Sequence, residues 1–318
     1  MFYVMAGKNS IEQIPNWKEE DGDLLINAPV EFNFTTNLAY MQRDKNECMY
    51  EIENELITCT ITTGDEHTLV QVSSPDNRNL RVRFLAGTRP KTLEGKAAIV
   101  HYIRDWFDLD KDLTSFYKMA QHDPLLQQVI KGNYGLRIVG IPDLFEALCW
   151  GVLGQQINLA FAYRLKRQFV EKFGRSITYN GKPYWVFPSY EKVAKLQLAD
   201  MSDIKMTVRK SEYIIGIAQS MANGDLSKEK LLQLNSFKKI EKELIKIRGV
   251  GPWTANYVLM RCLRYPTAFP IDDVGLINAI KHLKKMERKP SKEEILEAAI
   301  PWKNWEAYAT FYLWRALY

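Results

Sequence analysis

The chain has 318 residues, 46% of them hydrophobic and 25% charged, with a formal net charge of +5. These values fit an ordinary globular protein of two or three domains. No stretch approaches the ~20 apolar residues that cross a bilayer, and residues 1–8 lack the basic start and apolar length of a signal peptide. A location in the cytosol is expected.

Four cysteines (Cys48, Cys59, Cys149, Cys262) lie far apart, and four histidines (His67, His101, His122, His282) share no metal-ligand spacing. Free thiols and no tightly bound catalytic metal are expected. Charge is divided unevenly. Residues 1–110 carry seven more acidic than basic side chains, and residues 111–318 twelve more basic than acidic. The excess suits a polyanion facing the C-terminal two-thirds, although solvated lysine-rich helix faces would produce the same count.

In chain order, residues 28–86 read as antiparallel strands. VEFNF at 30–34 and LRVRF at 80–84 alternate strictly, ITCTITT at 57–63 is β-branched, and Gly64-Asp65 marks a turn. From residue 96 the period becomes helical, and helices are expected at 96–107, 111–121, 124–131, 143–153 and 159–173. After a loose surface turn at 179–183, more follow at 190–197, 208–222, 237–247, 253–264, 274–285, 292–299 and 304–317. Asn158 and Ser189 stand where N-caps belong, Asn223-Gly224 where a left-handed C-cap belongs, and Ser291 with Glu294 forms a capping box. Strands followed by many helices predict an α+β fold, an antiparallel-sheet N-terminal domain ahead of an all-helical body.

The segment IRGVGPWTA at 247–255 joins an amphipathic helix (Phe237, Ile240, Leu244, Ile247) to a second helix starting at Trp253. Gly249 and Gly251 allow a hairpin whose backbone N–H groups lie at a helix N-terminus, a place that suits a phosphate. Val250 can pack inward, and Lys246 and Arg248 add positive charge. A Gly-x-Gly alone is often only a tight turn. The longer match, extending through Thr254 and Ala255, resembles the helix-hairpin-helix DNA-binding signature. That resemblance implies a sodium or potassium ion on the hairpin carbonyls of Ile245, Ile247 and Val250, structural and not catalytic, with no other cofactor.

Downstream, FPIDDVGL at 269–276 places Asp272 and Asp273 at a helix start, where one carboxylate would serve simply as N-cap. A helix-hairpin-helix followed by a proline loop and an aspartate resembles the DNA glycosylase branch of that superfamily. The resemblance implies that Asp273 is the catalytic carboxylate. Cleavage of an N-glycosidic bond builds positive charge on the sugar, which a fixed carboxylate can stabilise while it orients or deprotonates water. Bifunctional members carry a nucleophilic lysine where this chain has Trp253, so hydrolysis without strand cleavage is implied. No cysteine follows Cys262, which excludes a C-terminal iron–sulfur loop.

From about residue 107 onward the chain is similar to the bacterial 3-methyladenine DNA glycosylase II branch. FEALCWGVLGQ at 145–155 resembles the helix before that branch's DNA wedge, which would put Gln155, Gln156 and Ile157 at the wedge; an ordinary turn capped by Asn158 is the alternative. WKNWEAYATFYLW at 302–314 resembles its last helix. Trp253, Tyr257 and Trp314 are thereby directed toward Asp273, as a pocket whose electron-rich faces attract a base made cationic by alkylation. The implied organisation is a strand-rich domain at 1–110, a helical subdomain at 111–143 and 266–318 carrying the catalytic aspartate, and a second at 144–265 ending in the hairpin. The implied partner is duplex DNA containing damaged bases such as 3-methyladenine, 7-methylguanine and hypoxanthine. A cytoplasmic monomer, nucleoid-associated if bacterial, is expected. A glycosylase for oxidised bases and a non-catalytic DNA-binding module remain open alternatives.

Overall fold

A computed structural model describes residues 16–317; the reading of residues 1–8 lies outside them. Six strands form one antiparallel sheet in the order β1-β2-β6-β5-β4-β3. They are β1 (Trp17–Glu20), β2 (Asp23–Ile26), β3 (Tyr50–Glu53), β4 (Leu56–Thr63), β5 (Glu66–Ser73) and β6 (Leu80–Gly87). Helix α1 (Phe34–Met41) is inserted between β2 and β3, and α2 (Leu93–Trp106) follows the sheet. The body then runs α3 (Thr114–Ala120), α4 (Leu126–Ile130), α5 (Leu144–Leu153) and α6 (Leu159–Phe173). Next come the hairpin β7 (Arg175–Tyr179) and β8 (Lys182–Val186), α7 (Tyr190–Val193), α8 (Val208–Ala222), α9 (Lys228–Gln233) and α10 (Phe237–Lys246). The chain closes with α11 (Pro252–Arg261), α12 (Val274–Leu283), α13 (Lys292–Ala298) and α14 (Glu306–Trp314).

The α+β order is as expected, but residues 30–34 are not a strand. They form a turn and the start of α1, because Asn33 Oδ1 accepts the Thr36 N–H at 2.8 Å as an N-cap. Phe32 and Phe34 both bury against the Phe107 ring, at 5.9 and 6.2 Å between centroids, so their alternation reports one shared contact and not a pleat. Residues 179–183 are likewise tighter than expected. Asn180 and Gly181, both at positive φ, make a two-residue turn that pairs Tyr179 with Lys182. The resulting hairpin lies on the N-terminal sheet, where Thr60 Oγ1 donates to the Tyr184 carbonyl and Tyr184 Oη donates to Glu51. The caps at Asn158 and Ser189, the Ser291–Glu294 box and the left-handed Gly224 all form.

One apolar core runs from the sheet (Leu24, Ile57, Val72) to the last helix (Tyr312, Trp314). Polar ties cross the same junction. The fully buried Arg137 donates to the carbonyls of Asp108 and Lys111 and to Glu31, and Tyr308 Oη donates to the Asp108 carboxylate. Helix α11 packs against α5 and α10, α5 against α8, and α12 against α14.

Candidate active site and DNA-binding hairpin

Asp273 is itself the N-cap of α12. Its Oδ1 accepts the Leu276 N–H at 2.8 Å. The same oxygen accepts the Trp314 indole N–H at 2.8 Å, and Oδ2 accepts the Trp253 indole N–H at 3.0 Å. The carboxylate is 9% exposed and has no cationic side chain within 4.0 Å among the described residues. Three neutral N–H donors thus hold the carboxylate in a single orientation, with no ion-pair partner among the described residues. Asp272 is the opposite case. Its side chain is 60% exposed and pairs with Lys292 at 3.4 Å. The cap and the candidate catalytic carboxylate are therefore one residue, not two neighbours.

Trp253 and Trp314 come from α11 and α14 and converge on Asp273 as expected. Tyr257 does not touch it. Its ring packs on Trp253 at 5.5 Å, and its hydroxyl accepts from the Arg261 guanidinium at 2.9 Å, one step removed from the carboxylate. Gly275 is a residue that sequence reasoning missed. A Cβ there would lie 2.9 Å from Asp273 Oδ1 and 3.0 Å from the Trp314 indole, so the pairing needs a bare backbone at this place. The only sequence signal is a glycine in the first turn of a helix, where it costs ~1 kcal/mol against alanine.

At the hairpin the two glycines have different reasons. Gly249 has φ +92°, and a Cβ would meet the Tyr213 ring at 2.3 Å. Gly251 has φ −89°, and nothing lies within 4 Å of its missing Cβ. No contact among the described residues requires glycine there, so its open side is available to an outside molecule. Val250 is 4% exposed and packs inward. Lys246 and Arg248 have side chains 69% and 77% exposed, each resting on one glutamate (Glu243, Glu212), surface pairs that are easily exchanged for another anion.

Thr254 and Gln155 do not face outward as DNA contacts would. Thr254 is 1% exposed and its methyl fills the space left by Gly151, while Gln155 Nε2 donates to the Gly249 carbonyl at 2.8 Å and to Thr254 Oγ1 at 3.2 Å. Both side chains are spent locking the loop after α5 to the hairpin. Gln156, exposed and at φ +58°, is the tip of that loop, followed by half-buried Ile157. Buried Lys210, also missed from sequence, donates to the carbonyls of Leu153 and Gln155 at 2.8 Å each and fixes the other side of the tip. The cysteines are unpaired, and burial pushes the Cys59 and Cys262 thiols up to about 12, which removes them as nucleophiles. No group of three or more potential metal ligands occurs among the described residues.

A helical body with a Gly-x-Gly hairpin, a projecting loop tip and a buried aspartate between two indoles is the architecture of a base-excision glycosylase. Comparison with known proteins agrees. Residues 149–305 match the HhH-GPD superfamily of base excision DNA repair proteins, and residues 25–148 match the N-terminal domain of 8-oxoguanine DNA glycosylase. The chain is 63% identical over 302 residues to a DNA-3-methyladenine glycosylase of Bacillus subtilis, covering 95% of this chain and 99% of that one. It is 26% identical over 180 residues to DNA-3-methyladenine glycosylase 2 of Escherichia coli, covering 57% and 60%. In fold it superposes on a 3-methyladenine DNA glycosylase from Archaeoglobus fulgidus with a TM-score of 0.76 at 21% identity, covering 92% of this chain and 97% of that one. A Clostridium acetobutylicum 8-oxoguanine glycosylase/lyase bound to duplex DNA superposes at 0.73 and 19% identity, covering 94% and 96%. The chain belongs to the HhH-GPD superfamily of base excision DNA repair proteins and is a DNA glycosylase.

Proposed function

We propose that this enzyme hydrolyses the N-glycosidic bond of alkylated bases in duplex DNA, chiefly 3-methyladenine and 7-methylguanine, and leaves an intact abasic strand. The observation that carries this reading is the uncompensated Asp273 carboxylate, flanked by Trp253 where lyase members of the superfamily have lysine. As the bond to the base breaks, positive charge develops on the deoxyribose. Asp273, held by three N–H donors, stabilises that charge with no reorganisation and orients the water that adds to the anomeric carbon. A base already cationic is a good leaving group, so no general acid is required. The hairpin amides and Lys246 and Arg248 anchor the backbone, and Gln156 enters the space that the flipped base leaves.

The hairpin also fits an alkali cation bridging to phosphate. The carbonyls of Ile245 and Val250 accept no hydrogen bond from the described residues, and that of Ile247 accepts only the Val250 N–H, so hard oxygen donors remain available. We take the division at 110, 143 and 265 as the working domain scheme, and a monomer acting on DNA in the cytoplasm as the working form. No helix among the described residues is long and apolar enough to cross a membrane.

One observation favours a second reading, excision of oxidised purines: the N-terminal match to the 8-oxoguanine glycosylase domain. Incubation with methylated and with 8-oxoguanine-containing duplexes, chromatography of released bases and borohydride trapping separate the two. Release of 3-methyladenine and 7-methylguanine with no trapped adduct is expected; preferential 8-oxoguanine release or a covalent adduct overturns the proposal.

A further inference from the structure

Lys210 stands in the first turn of α8, the end of a helix that disfavours a cation. It is 8% exposed, and no carboxylate lies within 4.0 Å of it among the described residues. A buried ammonium so placed needs other partners. Its Nζ donates to the Leu153 and Gln155 carbonyls at 2.8 Å each, and neither oxygen accepts another hydrogen bond from the described residues. Leu153 is the last residue of α5, so the charge rests at that helix's C-terminal end, where carbonyls are unpaired and a cation is favoured.

The bond to Gln155 reaches beyond the helix end. That carbonyl belongs to the planar peptide unit joining Gln155 to Gln156, so holding the oxygen fixes the plane from which Gln156 turns. Gln156 has φ +58°, a left-handed conformation that a residue other than glycine keeps only where its surroundings impose it. On its other side Ile157 packs against the core. The Gln156 side chain itself is exposed and makes no hydrogen bond to the described residues. Three residues along α8 from Lys210, the Tyr213 ring occupies the space beside Gly249 of the hairpin. Gln155 Nε2 donates to the Gly249 carbonyl. The loop tip and the hairpin are therefore mounted on one support.

We propose that Lys210 is a positioning residue for base extrusion: its two hydrogen bonds hold the loop in the shape that carries Gln156 into the base stack while the hairpin holds the backbone. This rests on the reading of Gln156 as the side chain that enters the space left by the flipped base. Extrusion from a duplex opens a gap, and it costs most where the damaged base is well paired and stacked. A tip ordered in advance fills that gap without first losing conformational freedom. Lys210 hydrogen-bonds to none of Asp273, Trp253 and Trp314. Its effect is thereby confined to substrates in which a gap must be filled, and the bond-breaking step is left alone.

The test is single-turnover excision of 7-methylguanine by Lys210→Met and Lys210→Arg from two substrates. One is a duplex with cytosine opposite the lesion. The other lacks that cytosine, so the lesion is a one-nucleotide bulge whose extrusion leaves no gap. Affinity for undamaged duplex and the melting temperature are measured beside them. Lys210→Met, similar in volume and without a donor, is expected to release base from the paired duplex about tenfold more slowly or worse. From the bulge it should stay within about twofold of the unaltered enzyme, with affinity for undamaged duplex unchanged. Lys210→Arg keeps the charge and the donors and should recover most of the paired rate. Equal slowing on both substrates, with or without lowered melting, makes Lys210 a general structural support and overturns the proposal, as do unchanged rates on both. Gln156→Ala on the same two substrates tests the underlying reading separately. If it excises from the paired duplex as fast as the unaltered enzyme while Lys210→Met keeps its duplex-selective loss, Gln156 is not the inserted side chain and the Lys210 assignment stands.

Discussion

Asp273 is the N-cap of α12 and the proposed catalytic carboxylate, two roles that sequence inspection treats as rivals. As N-cap its Oδ1 takes the Leu276 N–H, and the same capping geometry turns Oδ2 toward Trp253. Asparagine caps a helix about as well as aspartate, so Asp273→Asn should keep α12. It cannot keep the site, because its amide nitrogen faces one of two indole N–H groups that both need an acceptor. We expect excision to fall by at least about a hundredfold while abasic-site DNA still binds, with Asp272→Asn within a few-fold of the unaltered enzyme. Single-turnover base release checks this, and the reverse pattern would move the catalytic assignment to Asp272. Asp273, Trp253 and Trp314 were legible because each sits inside a local motif. Gly275 and Lys210 were not, since what each does depends on a partner far away in sequence: Trp314 and the end of α5.

Among the elements, helix periods and caps from residue 96 onward were legible except at α9, because they depend on neighbours within four positions; the six residues of α9 are too few to show a period. Strands were less so. The alternation at 30–34 was overridden by the Asn33 cap, and the Asn180-Gly181 turn, a strong hairpin signal, lay between short strands whose apolar face becomes evident only once they rest on the sheet. The hairpin from α10 to α11 yields a paired expectation. Gly249→Ala must adopt a positive φ and displace the Tyr213 ring, so it should cost more than about 2 kcal/mol and lower the melting temperature. Gly251→Asp meets no internal obstacle and should leave melting nearly unchanged. It should weaken binding to damaged and undamaged duplexes alike, since phosphate contacts position without specifying sequence. Fluorescence-anisotropy titrations with both duplexes, beside thermal melts, decide it. Stability lost in the second variant, or a change in which base is released, would contradict the proposed role of the hairpin as a backbone anchor.

At the scale of the whole molecule, the sheet and the helical body are interlocked, which the charge division at residue 110 gave no hint of. The β7–β8 hairpin crosses back onto the sheet, and Asp105 at the end of α2 is gripped from the body by Arg264 and Lys228, each at 2.9 Å. Burial pushes the Asp105 carboxyl up, but Arg264 and Lys228 outweigh it and hold the group below its ordinary value. A carboxyl whose folded pKa lies below its unfolded value of about 3.9 contributes its full stabilisation above that pH and loses it as pH falls through the folded value. Removing one partner of such a buried pair costs about 3–5 kcal/mol, because the remaining cations stay desolvated. Asp105→Asn should therefore be that much less stable than the unaltered protein at pH 7, and the gap should narrow as the pH drops below about 4 and close once it falls below the lowered folded value, where the wild-type carboxylate is itself protonated in the folded protein. Urea unfolding followed by tryptophan fluorescence and by far-ultraviolet circular dichroism at several pH values measures both quantities. Coincident curves from the two probes are expected, since one core runs through both regions. A gap that stayed constant down to pH 2 would mean that Asp105 acts by shape and not by charge, and separated curves would mean that the sheet and the body unfold independently.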